Sequence, residues 1–249
     1  MFKSGVVVIA VLLLAACGAP KPRQEPANPS LPGSSGAGTA PRPSAPEDAD
    51  AIPARPTGQG VYVIDPEQSE LRLLVYRAGA MARLGHNHVI TNRAVAGWIK
   101  FGGDPAAAAV ALSVPVESFV VDNDAARAAE GEDFVEEVSE EAKGGTRHNM
   151  LSAALLDVDR HANITLVSQR FRPGAAALTA TMRLMIAGHQ STLVVPFQVA
   201  TSKTQISASG AVKLRQTELG LRPFSIMMGA LQVQDEFTVK FTLVAMATH

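Results

Sequence analysis

A chain of 249 residues with a formal net charge of −1 and 47% hydrophobic residues has enough apolar material for one packed domain. It has no basic excess to mark a nucleic-acid footprint. With a single cysteine it can form no internal disulfide, so its stability rests on a core.

In chain order, Lys3 precedes an apolar run from Val6 to Leu14 that is too short to cross a ~30 Å hydrocarbon layer as a helix. That arrangement reads as the hydrophobic region of a signal peptide. Leu14-Ala15-Ala16-Cys17 follows and resembles the lipobox of bacterial lipoproteins. The resemblance implies cleavage before Cys17 and its acylation, which leaves no thiol in the mature chain and anchors the protein to a membrane facing the periplasm or cell exterior. Gly18, rather than Asp, after the cysteine favours the outer membrane by the same analogy.

Residues 18–58 hold ten of the sixteen prolines among Ala, Ser and Gly, with acids and bases in balance. Such a segment cannot bury enough apolar surface to fold, and proline biases it to extended backbone at roughly 3.1 Å per residue. It reads as a tether reaching on the order of 100 Å.

From residue 59 to 249 period-two alternation dominates and marks about eight strands. Their apolar faces are Leu71-Leu73-Val75, Val95-Gly97-Ile99-Phe101, Val110-Leu112-Val114-Val116, Leu178-Met182-Leu184-Ile186, Leu193-Val195-Phe197-Val199, Ile206-Ala208-Val212-Leu214 and Phe237-Val239-Phe241-Leu243, with an eighth run at 164–167. Eight antiparallel strands close into a barrel or stack as a sandwich, and alternation alone serves both. Pro115 and Pro196, inside strand-like runs, predict strand ends, edges or bulges. Gly97 and Gly210 are expected to face inward and leave room.

Two stretches interrupt the alternation. In "RLGHNHVI" (83–90), His86 and His88 point to one face if they lie on a strand and can then share one metal ion, which needs a third ligand from His148, His161 or His189. If instead Gly85 bends the chain, where Asn87 would tolerate a left-handed conformation, the two imidazoles lie at the mouth of the domain and hydrogen-bond a ligand headgroup or the neighbouring turn. Residues 122–143 carry nine acids, with Phe134, Val135 and Val138 at helical spacing. This predicts one amphipathic helix over 132–143, packed by those three residues, with a solvated acidic face.

Taken together, "YVIDPEQSELRLLVYR" (62–77), "HNMLSAALLDVDRHANITLVSQRF" (148–171) and "RQTELGLRPFSIMMGALQVQDEFTVKFTLVA" (215–245) resemble the YceI-like family over nearly the whole domain. The resemblance implies an all-β fold, an antiparallel lipocalin-like barrel of about eight strands with one short helical insertion, whose lumen in some members holds a polyisoprenoid chain. It also assigns Asp157, Asp159 and His161 to a structural loop. On the residues' own evidence, inward faces of Val, Leu, Ile, Met and Phe would solvate a hydrocarbon chain at ~25 cal/mol per Å² of buried apolar surface.

The expected lining is Leu73, Val75, Ile99, Phe101, Val114, Met182, Leu184, Phe197, Phe237 and Phe241, with His86 and His88 as headgroup contacts and Cys17 as the lipid attachment. No cofactor or resident metal is expected, and neither G-x-S-x-G nor H-E-x-x-H is present to support an enzyme. The leading expectation is an envelope lipoprotein that binds or carries an apolar, isoprenoid lipid. Its rivals are a periplasmic metal- or haem-binding protein using His86 and His88, and a structural or partner-binding module with a filled barrel.

Overall fold

The computed structural model describes residues 51–173 and 177–248. The expected signal peptide, Cys17 and most of the expected tether lie outside the described residues. At the tether's end, Trp98 Nε1 donates to Pro53 O at 3.0 Å, so residues next to the expected boundary lie against the domain.

The strands are β1 (Val61–Ile64), β2 (Glu70–Val75), β3 (Arg77–Ala78), β4 (His88–Asn92), β5 (Ala96–Lys100), β6 (Ala109–Pro115), β7 (Val120–Val121), β8 (Asn163–Pro173), β9 (Leu178–Ile186), β10 (His189–Thr201), β11 (Gln205–Arg215), β12 (Ser225–Ile226), β13 (Leu231–Val233) and β14 (Glu236–Ala247). Eight of them close an antiparallel barrel in the order β1-β5-β6-β8-β9-β10-β11-β14, with β14 returning to β1. The barrel is chosen over the sandwich by that last pairing, Tyr62 opposite Ala247.

The long strand β14 carries β1 along its C-terminal end and β2 along its middle, where Leu73 faces Val239. The chain bends at Asp65-Pro66 between the two. β4 and β5 repeat the bend one strand further on, so β2, β4 and β7 prolong one end of the wall.

Strands that separate lumen from water alternate, as in β9, where Ala180, Met182, Leu184 and Ile186 are buried. β4 does not: Val89, Ile90, Thr91 and Asn92 are all buried. Its inner face meets the lumen, and its outer face is covered by a second small core of Leu74, Val89, Ala126 and Phe134. Pro115 ends β6, and Pro196 stands in β10 just before the β10–β11 ladder begins at Gln198, both positions without a ladder bond to lose.

The acidic segment is built differently from the expected single helix. Two helices occur, α1 (Asp124–Ala128) and α2 (Glu140–Leu151), and residues 132–139 between them are not α-helical. Phe134 and Val138 are buried, but Val135 is 77% exposed. The helix begins later because Ser139 caps it, its Oγ accepting from Ala142 N. Gly131, at φ +86°, sets the preceding turn. Among the described residues no helix is long and apolar enough to cross a membrane.

Candidate functional site: an apolar lumen with a polar chamber at one end

The barrel is not filled. A cavity of about 390 Å³ runs through it, and of its lining side chains only Thr201 is polar. A second cavity of about 270 Å³ lies towards the loop end of the barrel. The two share Leu73, Phe119, Ile164, Ile186 and Phe237 as a common partition.

The second chamber is of mixed character. His86, His88, Thr146, Asn149, Gln216, Gln232 and Arg77 join Val75, Met150, Leu155 and Leu221 in its wall. An oily tube thus ends in a compartment with hydrogen-bonding groups, the distribution an amphiphile with a long tail and a small polar head would match.

The expected lining residues fall as follows. Ile99, Phe101, Val114, Met182, Leu184, Phe197 and Phe241 line the larger cavity, Leu73 and Phe237 line both, and Val75 lines the chamber. The two glycines do not leave the space expected of them. A Cβ on Gly97 would stand 2.1 Å from Ala111 O, so the neighbouring strand's backbone already occupies that place. A Cβ on Gly210 would stand 2.6 Å from Pro196 O and 2.8 Å from Phe241 Cζ: the neighbouring backbone and the cross-strand phenyl ring together cover the glycine.

His86 and His88 both face the chamber, with ring centroids 6.3 Å apart. Gly85 bends the chain after a 3₁₀ turn, Ala82–Leu84, and His88 opens β4. Asn87 does not take the left-handed conformation it would tolerate. Its side chain fixes the loop instead: Oδ1 accepts from Arg77 N at 3.0 Å, and Nδ2 donates to Asp133 O at 2.9 Å. His148 is exposed on α2, the His161 ring packs by Gly188, and the His189 ring packs by Gly220. Among the described residues no group of three or more His, Cys, Asp or Glu side chains is placed to hold a metal ion.

His88 is tied down on the side away from the chamber. Its Nδ1 lies 2.6 Å from Asp122 Oδ2, while Asp122 Oδ1 accepts from Val89 N at 2.8 Å and from Arg127 Nη1 at 2.6 Å. Arg127 also donates to the carbonyls of Asn87 and Glu136, both at 2.7 Å. Burial pushes the Asp122 carboxyl up, but the hydrogen bond and charge of His88, the Val89 N–H and Arg127 outweigh it and hold the group below the usual carboxylate range.

An ionised carboxylate only accepts, so Nδ1 donates to it and Nε2 is the ring nitrogen left facing the chamber. Thr146 Oγ1 stands 3.3 Å from that nitrogen. Hydroxyl, imidazole and carboxylate have the order of an acyl-transfer relay, with the hydroxyl slightly beyond the usual reach of a working base.

Asp122, Arg127 and Thr146 were not singled out from the sequence. Asp122 and Arg127 sit in an acid-rich run that reads as solvated, and only the fold brings Asp122 to a histidine 34 positions away and Arg127 to Asp122. The left-handed backbone of Asp122, φ +54°, leaves no trace in the residue pattern.

A model of the YceI-like domain matches residues 62–245. No curated protein sequence matches the chain. Among solved structures, BcnA of Burkholderia cenocepacia superposes with a TM-score of 0.54 at 17% identity, over 73% of this chain and 98% of that one. A polyisoprenoid binding domain from Saccharophagus degradans, implicated in plant cell wall breakdown, gives 0.50 at 13% identity, over 77% of this chain and all of the other. At these identities the likeness concerns the fold.

Proposed function

Because the chain belongs to the YceI-like domain family, we propose that it binds an apolar, isoprenoid-type lipid in the barrel lumen, with the lipid's polar head in the His86 and His88 chamber. The observation that carries this reading is the cavity of about 390 Å³ whose only polar lining side chain is Thr201. Water in such a space has almost no partners, whereas each ~100 Å² of hydrocarbon moved into it from water contributes about 2.5 kcal/mol.

A branched, unsaturated chain suits a tube walled mainly by branched aliphatic and phenyl side chains. The polyisoprenoid named for the Saccharophagus domain supports that choice. The polar chamber supplies donors and acceptors for one small headgroup. The lipobox-like Leu14-Ala15-Ala16-Cys17 supports a role as an acylated lipoprotein of the cell envelope, in which a tethered barrel sequesters or carries its lipid.

The test is native mass spectrometry of the protein isolated without detergent from the envelope of its own cells, followed by denaturation of the same sample. A bound mass that is lost on denaturation, extracts into organic solvent and fragments by prenyl units is the expected result. A bare polypeptide that also fails to take up added polyprenyl lipid would overturn the reading.

A further inference from the structure

The chamber is roofed by a small flap separate from the barrel wall. Strands β12, β13 and β3 form its three-stranded sheet, with Ser225 opposite Gln232 and Gln232 opposite Ala78. Met81 N donates to Ala230 O at 2.7 Å and ties in the 3₁₀ turn that follows β3. One side of the flap, through Phe224, Leu231 and Val233, lines the chamber.

Its rim is oily and faces water. Leu84 is 55% exposed, Ile226 42%, Met227 59% and Met228 106%. With Phe224 these make five of the ten exposed large apolar side chains among the described residues, gathered in two short segments. Met227 and Met228 have φ of +52° and +55°, a left-handed pair of non-glycine residues before Gly229. Such backbone is disfavoured for side-chain-bearing residues, and here it accompanies two apolar side chains turned to solvent.

The charge on the flap has one sign. Residues 76–88 and 219–234 contain Arg77, Arg83 and Arg222 and no Asp or Glu, in a chain whose net charge is −1. Arg83 and Arg222 are exposed and, among the described residues, stand in no ion pair. An apolar rim flanked by cations complements the surface of an anionic bilayer, where methionine, leucine and isoleucine enter the acyl boundary and guanidinium groups meet phosphates.

We propose that this flap docks on an anionic phospholipid bilayer through Leu84, Ile226, Met227 and Met228, with Arg83 and Arg222 at the phosphates. The docked flap sets the polar chamber against the membrane surface. Transfer of a lipid between bilayer and lumen through that contact rests on the binding reading above; docking itself does not.

The experiment is co-sedimentation of the mature chain, residues 17–249 carrying Cys17→Ser so that neither the apolar Val6–Leu14 run nor an acyl group contributes, with vesicles of phosphatidylcholine alone or mixed with phosphatidylglycerol. Binding to the mixed vesicles, weakened by salt, is expected. The Arg83→Glu/Arg222→Glu variant should lower the bound fraction about tenfold, and Met227→Ser/Met228→Ser should lower it on both vesicle types. A control, Val194→Ser, alters an exposed valine on β10, outside the flap, and should bind as the parent does.

Absence of vesicle binding by the parent overturns docking, as does an equal loss in the control. So does a Met227/Met228 effect that appears only as loss of self-association in ultracentrifugation. Native mass spectrometry of the same variants separates the two ideas: lipid-loaded protein that ignores vesicles sinks docking alone, and vesicle-bound protein that stays empty and refuses added lipid sinks the lumen reading alone.

Discussion

His88 Nδ1 and Asp122 Oδ2 lie 2.6 Å apart and join the lumen wall to the acidic insertion, because Asp122 is also held by Arg127 of α1. Asp122 is fully buried and Arg127 is 6% exposed, so neither charge has water to fall back on. Removing one partner of such a pair leaves the other uncompensated, which costs about 3 kcal/mol or more. Asp122→Asn should therefore melt well below the parent at neutral pH in a calorimetric scan.

The pH dependence has a definite sign. The folded-state pKa of Asp122 is below its ordinary 3.8, so its contribution is present above that value and is lost as pH falls through the lowered one. Glu130, with its side chain almost buried between Arg72 and Lys240, is also depressed and acts in the same direction below its ordinary 4.5. Melting temperature should hold down to about pH 5 and then drop, and Asp122→Asn should shrink that drop. A drop of equal size in parent and variant would show that Asp122 is not responsible.

Two glycine-to-alanine changes should act in opposite directions. At Gly97, φ +144° and a Cβ 2.1 Å from Ala111 O force the β5–β6 ladder apart, for a loss on the order of 3 kcal/mol. Gly145 lies inside α2 with nothing within 4 Å of its Cβ position, so alanine there should stabilise by about 0.5–1 kcal/mol. Urea titrations of the two variants check both signs.

Filling the lumen should separate loading from folding. Ala208 lines the larger cavity between Val199 and Leu243 on the neighbouring strands. Ala208→Phe places a ring in the tube, at a stability cost within about 1–3 kcal/mol. Native mass spectrometry should show a folded protein with little or no bound lipid, and undiminished loading would place the lipid elsewhere.

The chamber residues divide by what they hold. His86→Ala removes a ring with no hydrogen bond among the described residues and should leave the melting temperature nearly unchanged while weakening retention of the lipid's head. Thr146→Ala should leave lipid loading intact and cost about 1 kcal/mol or less. An organophosphonate ester probe provides the contrary outcome: a covalent adduct on Thr146, absent from His88→Ala, would make the site a catalyst as well as a binding chamber.

Legibility followed the number of wet faces. β9, β10, β11 and β14 each part lumen from water, so their inward side chains could be read off the alternation. β4 could not, because its outer face lies under α1 and Phe134 and all of Val89–Asn92 is buried. Phe134 and Val138 have helical spacing but anchor irregular chain onto the barrel, since a buried side chain pins a loop as well as a helix face. Their cover is visible only once α1 is seen against β4.

What the sequence alone determined is the chemistry of the wall: apolar inside and mixed outside at every second residue, which a twisted antiparallel sheet satisfies by closing on itself. Whether the enclosed volume is void or filled depended on the tertiary structure. A glycine opens space only if no neighbour claims it, and the Pro196 carbonyl and Phe241 ring claim that of Gly210. The fold likewise decided the polar chamber, the Asp122 pairing and the oily flap rim, because each joins side chains tens of residues apart whose distance and burial no local pattern encodes.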